Sequence, residues 1–248
     1  MSSSPSATAM PSEAPDLAVR LALVTQPGLA IHVGADVVTT PEHVHWPGVR
    51  SCRDTLERTS RLAAAAGITR QRRLLGLRAS RAGLRHALRH AAAELDPRGH
   101  LLLAFTGPSD RALPHGDGPP EVSWSLYDGA LPLAQVAALL SVLPPTARIT
   151  VISDTGYAAA LSAFHIPATV VLLAACGADQ EIMSSPAPSF AARLEQLMLR
   201  DGRPNPDCVS YRWLNWQLRQ DVPDAERPRV WINRPALWSQ RPWSRPAQ

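Results

Sequence analysis

The chain has 248 residues, of which 45% are hydrophobic, enough for one large domain with a sizeable core. Its formal charge is +4, but all 25 basic residues are arginine, mixed with Asp and Glu and not interleaved with aromatics. That pattern reads as a solvated arginine face and argues against a nucleic-acid platform. No apolar run approaches the roughly 18 to 20 residues of a membrane span, so a membrane is not an expected partner either.

The opening "MSSSPSATAMPSEAP" has neither a basic n-region nor an apolar h-region, and residues 1–16 are expected to form a disordered tail. Residues 17–248 are expected to form a single domain. Within it, "VRLALVTQ" (19–26), "HLLLAFT" (100–106), "RITVIS" (148–153) and "ATVVLLAA" (168–175) have the length and near-continuous apolar character of strands buried on both faces. Two helical stretches, "RDTLERTSRLAAAAG" and "SRAGLRHALRHAAAEL", separate the first two strands; Leu84, Leu88, Ala91 and Leu95 line one face of the second. A helix over about 131–143 presents Leu133, Val136, Ala137, Leu140 and Leu143 and is stopped by Pro144 and Pro145. Strands alternating with helices predict an α/β fold, a three-layer α/β/α sandwich on a mostly parallel sheet.

Residues 107–130 are rich in Gly, Pro and Asp and are expected to be a long loop leaving the C-terminal end of a strand, where open α/β sheets bind ligands. Further helices are expected at about 188–200 and 207–219. The end of the chain, "RPRVWINRPALWSQRPWSRP", reads as an extended Trp- and Pro-rich strap over the domain, with Trp213, Trp216, Trp231, Trp238 and Trp243 either packed or forming an interface.

Cys52, Cys176 and Cys208 are odd in number and widely spaced, without a CxxC pair or metal-ligand spacing to histidine, which fits reduced thiols in a cytoplasmic compartment. His32, His43, His45, His86, His90, His100 and His165 read individually as structural. No metal and no cofactor is implied.

Five short segments, in order, carry a resemblance: "SCRD" at 51–54, "FTGPS" at 105–109, "LPP" at 143–145, "DTGYA" at 154–158 and "AACGADQ" at 174–180. Taken together they resemble the caspase-like fold, most closely the metacaspase branch and its bacterial relatives. In that family a "GCxND" segment opens the first helix, one strand ends in "YSGHG" with the catalytic histidine, and the next ends in "DxCHSG" with the nucleophilic cysteine. The resemblance implies a caspase-like sandwich over roughly residues 18–245.

The departures carry the functional argument. Cysteine proteolysis needs a thiolate and a histidine close enough to manage its proton. At the matching positions stand Pro108 and Gly156, which offer neither a titratable group nor a nucleophile, so peptidase action is not expected. A relocated pair is the remaining route: Cys52 at a helix start, where the dipole lowers a thiol pKa, with His115 in the loop. Nothing in the spacing joins them, and Cys176 reads as a buried small hydrophobe.

The family preference for Arg or Lys side chains implies a surviving acidic pocket at Asp54 and Asp154, with Thr106 and Ser51 as polar neighbours and Tyr157 beside them. Two converging carboxylates can hold a guanidinium through charge-assisted contacts. The bland alternatives are a first-turn helix acid at Asp54 and a turn former at Asp154. The resulting expectation is a catalytically inactive metacaspase-like protein that acts as a binding, regulatory or scaffold protein. Its partner would be a peptide or protein, an active homologue included. The alternative is a repurposed enzyme acting on a small-molecule ligand, with Asp154 and Tyr157 as proton donors or acceptors.

Overall fold

The computed structural model describes residues 28–36, 52–112, 121–181, 189–220, 222 and 227–243. Its centre is a six-stranded sheet of β1 (Gly28–Gly34), β2 (Arg70–Leu75), β3 (His100–Thr106), β7 (Arg148–Asp154), β8 (Thr169–Ala174) and β11 (Arg229–Ile232), in the spatial order β11-β8-β7-β3-β1-β2. Five strands run parallel and β11 is antiparallel to β8. Every residue of β1 and β3 is buried, as the apolar run of β3 predicts for a central strand.

Helices cover both faces. α1 (Cys52–Ala65) packs on β1 and β3 and against α4 (Phe190–Met198), which in turn meets α5 (Tyr211–Leu218). On the other face lie α2 (Arg81–Glu94) and α3 (Leu133–Leu140), with a 3-10 turn over Ala158–Ala163 packed on α3. α2, α4 and α5 each begin at a serine whose hydroxyl accepts an N–H of the first turn, at Ser80, Ser189 and Ser210. The chain is therefore a three-layer α/β/α sandwich on a mostly parallel sheet. Among the described residues no helix is long and apolar enough to cross a membrane.

Several elements depart from expectation. The first strand of the structure is "GLAIHVG" at Gly28–Gly34, whereas the strand expected at 19–26 lies outside the described residues. His32 interrupts the apolar run, yet its ring is fully buried because Thr59 and Gln71 satisfy both nitrogens, at 2.9 and 3.1 Å. The arginine-rich β2 follows α1 as an edge strand, where charge guards an otherwise open ladder. The expected long loop 107–130 contains β4 (Ser109–Ala112), β5 (Glu121–Leu126) and the start of β6 (Gly129–Pro132), which together form an antiparallel meander. Trp124 of β5 anchors it by stacking on Phe105 of β3, with ring centroids 4.2 Å apart.

β9 (Leu199–Arg200) and β10 (Arg203–Pro204) form a short antiparallel pair of their own, and the C-terminal strap is partly strand. β11 pairs with β8, Asn233 takes the Val170 N–H and donates to the Ala168 carbonyl, each at 2.8 Å, and Trp213, Trp231, Trp238 and Trp243 pack against the core. Trp216, at 57% exposure, is the one of these five that faces solvent.

Candidate functional site

β3 and β7 are parallel neighbours, and their register pairs Thr106 with Asp154 at the C-terminal ends. The chain continues from these ends as Gly107, Pro108, Ser109 and as Thr155, Gly156, Tyr157. The two extensions are tied twice: the Ser109 hydroxyl donates to the Gly156 carbonyl and the Thr155 hydroxyl to the Gly107 carbonyl, both at 2.7 Å. Pro108 and Gly156 thus lie on adjoining, cross-bonded strand ends. Pro108 is buried, and its carbonyl accepts the Ser125 N–H at 3.0 Å. Gly107 is required by close approach, since a Cβ there would meet the Ala35 Cβ at 2.8 Å.

Asp154 bridges three elements. Its carboxylate accepts from the Thr55 hydroxyl of α1 and from the Ala191 N–H in the first turn of α4. It keeps only a partial exposure while protein atoms crowd it, and this desolvation pushes its pKa up to about 6 against those two hydrogen bonds. Asp54 behaves differently. It sits in the first turn of α1 and is exposed, while Cys52, Thr55, Leu56, Thr59, Leu62 and Ala63 form the buried face. No described contact joins Asp54 to Asp154. Thr106 is buried beside Asp154 in register, and Ser51 lies outside the described residues.

Tyr157 follows Gly156 in the left-handed region, with φ 51° and ψ 27°, an uncommon conformation for a large side chain. Its N–H donates to the Gln180 carbonyl at 2.7 Å, and the Arg111 guanidinium lies 5.7 Å from its ring centroid. Burial first, and the Glu181 carboxylate second, raise the pKa of its phenol.

The cysteines are buried and free. Cys176 lies under the turn after β7, its sulfur accepting the Ala158 N–H at 3.4 Å and lying 3.1 Å from the Gln180 carbonyl. Burial pushes the thiols of Cys52 and Cys208 up to about 12 and that of Cys176 up to about 11. At Cys52 the Asp36 and Asp154 carboxylates add to the rise, so the helix start does not produce a thiolate. His115, the other half of the relocated pair, lies outside the described residues, as do His43 and His45. Among the described residues no group of three His, Cys, Asp or Glu side chains could hold a metal ion.

Sequence reasoning missed Ser109, Thr155, Thr55 and Arg111. Thr55 had a signal: it falls in phase with the buried positions of α1, and Asp54 falls out of phase. Ser109 and Thr155 had none, because their partners are backbone carbonyls of a distant segment.

No family model matches the chain, and no curated protein does. Among solved structures the chain is similar to protein GSU0716 from Geobacter sulfurreducens, with a TM-score of 0.71 at 20% identity, over 88% of this chain and 98% of that one. At that identity the likeness concerns the fold.

Proposed function

We propose that the chain is a catalytically inactive caspase-like protein of the metacaspase type, acting as a binding, regulatory or scaffold protein. The observation that carries this reading is the adjoining pair of strand ends that bear Pro108 and Gly156, cross-bonded through Ser109 and Thr155. The matched segments also follow one another across the sheet, on β3, β7 and β8, with the helix start of "SCRD" packed over β1. A nucleophile and its base would occupy adjoining positions there, and the chain supplies neither. Its three native thiols are buried and raised far above neutral pH, which removes the substitutes.

Asp154 is the group best placed to recognise a basic Arg or Lys side chain at the strand ends, being ionised above about pH 6 and partly exposed. The test incubates the full chain with Arg- and Lys-containing reporter peptides and follows both cleavage and binding. Binding without turnover is expected. Thiol-dependent cleavage abolished by replacing a single cysteine would overturn the reading.

One observation favours a second reading, an enzyme acting on a small molecule. A carboxyl with a pKa near 6 is a competent proton donor and acceptor, and the strained Tyr157 follows it three residues on. A metabolite screen would separate the two, since this reading requires turnover that Asp154→Asn removes.

A further inference from the structure

Beside the edge strand, away from the ends of β3 and β7, an open cavity of about 780 Å³ lies between α1 and β2. α1 contributes Glu57, Ser60 and Arg61 to its walls; Gln71 and Arg73 come from β2, and Arg78 from the 3-10 turn that follows β2. The three arginines are not equivalent. Arg61 is engaged by Glu195, which also pairs with Arg58 at 2.5 Å. Arg73 and Arg78 are exposed and have no carboxylate partner among the described residues. Guanidinium groups left uncompensated at one concave site are suited to an oxyanion, which they bind through planar, paired N–H donors.

A second observation is independent of charge. Ser60 is 7% exposed, and its hydroxyl is buried without a hydrogen-bond partner. Native structures rarely leave such a group unmatched. Its neighbour Gln71 is held in place, with its amide donating to the Ser60 and Ile68 carbonyls at 3.2 Å and its oxygen directed to His32. The wall is thus braced from within, with the unpartnered Ser60 hydroxyl buried behind it. Glu57 stands on the same wall as an acceptor, which disfavours a polyanion and suits a ligand that carries hydroxyl groups as well as one anionic group.

We infer that this cavity binds the phosphate monoester of a small polyhydroxylated molecule, with Arg73 and Arg78 on the phosphate and Glu57 on a hydroxyl. The volume falls within the range of small-molecule sites. Because the cavity lies beside β2, the inference stands whether or not the strand ends bind a basic side chain.

Titration calorimetry of the full chain at fixed ionic strength tests it, with glucose 6-phosphate, inorganic phosphate, glucose, citrate and a phosphoserine peptide as probes. The expected result is saturable one-to-one binding of glucose 6-phosphate, weaker binding of inorganic phosphate, and none of glucose. Arg73→Gln and Arg78→Gln should each weaken it roughly tenfold, as loss of a charge-assisted hydrogen bond does. Glu57→Gln should weaken glucose 6-phosphate and leave inorganic phosphate unchanged. All three residues are exposed, and an unaltered melting temperature checks that the variants fold. Citrate or the phosphopeptide binding as well as the sugar phosphate would overturn the proposal. So would indifference to the arginine substitutions, or the absence of saturable binding.

Discussion

The Ser109 hydroxyl donates to the carbonyl of Gly156, 2.7 Å away, and so joins the segment after β3 to the turn after β7. Thr155 makes the complementary bond to Gly107. Both hydroxyls are largely withdrawn from solvent, Ser109 at 7% and Thr155 at 4% exposure, so each replaces water at a carbonyl that would otherwise lie buried. Ser109→Ala and Thr155→Val should therefore each cost about 1 kcal/mol. Urea denaturation would measure this. The double variant should cost less than the sum of the singles if the two bonds hold the strand ends as one unit, because losing either bond already weakens the other.

The burial of Cys52, Cys176 and Cys208 leads to a reactivity prediction. Thiols raised to about 11 or 12 are almost wholly protonated at pH 8 and shielded from reagent. Alkylation of the native protein should be slow, and denaturant should release all three. Gly156→Cys introduces a thiol at a half-exposed position and should react much faster than any native cysteine. Adding Pro108→His should shift the pH profile of that alkylation to lower pH, because the imidazole would enter on the adjoining strand end. An unchanged profile would mean that the two positions do not face one another.

What the sequence revealed divides along physical lines. β3, β7 and β8 were legible because burial on both faces leaves an almost unbroken apolar run. β1 was not, because His32 is polar by type and becomes a core residue only through Thr59 and Gln71, which lie 27 and 39 residues away. β2 hides its strand character behind exposed arginines, as an edge strand does. The meander was obscured by its turn residues, and the signal for it was the single buried Trp124 that docks on Phe105. At the strand ends, Pro108, Gly156 and Asp154 could be named only through the resemblance of their segments to the caspase-like family. The surroundings of Asp154 could not, since Ala191 contributes a backbone N–H that no side-chain pattern encodes.

Acid should destabilise the fold through its buried histidines. Burial, the main cause in both, holds the pKa of His32 down at about 4 and that of His100 at about 3, where Thr150 accepts or donates at 2.9 Å. In the unfolded chain both rings protonate near their ordinary 6.5. Their contribution is therefore present above pH 6.5 and is lost as pH falls toward 4 and then 3. Asp154 works in the opposite sense. Its pKa is raised from 3.8 to about 6, so its protonated form favours the native state, and that contribution fades as pH rises through 6. A melting-temperature series from pH 7 to pH 4 should fall. Asp154→Asn should steepen the fall by removing the opposing group, and His100→Gln should flatten it. A series that is level in all three proteins would exclude the buried histidines as the cause.

Asp154 and Asp54 differ in a way that a ligand can read. Asp54 is exposed on the outer side of α1, whereas Asp154 lies at the strand ends with one carboxylate held by Thr55 and the Ala191 N–H. If a short arginine peptide binds at the strand ends, its affinity should rise between pH 5 and pH 7 as Asp154 ionises about a midpoint near 6. Asp154→Asn should weaken binding by roughly tenfold or more and abolish that rise, because a charge-assisted hydrogen bond is worth about 1.5 to 3 kcal/mol. Asp54→Asn should change affinity by less than about twofold, in keeping with an exposed pair screened by water. Fluorescence anisotropy of a labelled peptide across this pH range distinguishes them. Equal losses at the two positions would instead mean that both carboxylates converge on the ligand when it binds, and a pH-independent affinity would remove Asp154 from the site altogether.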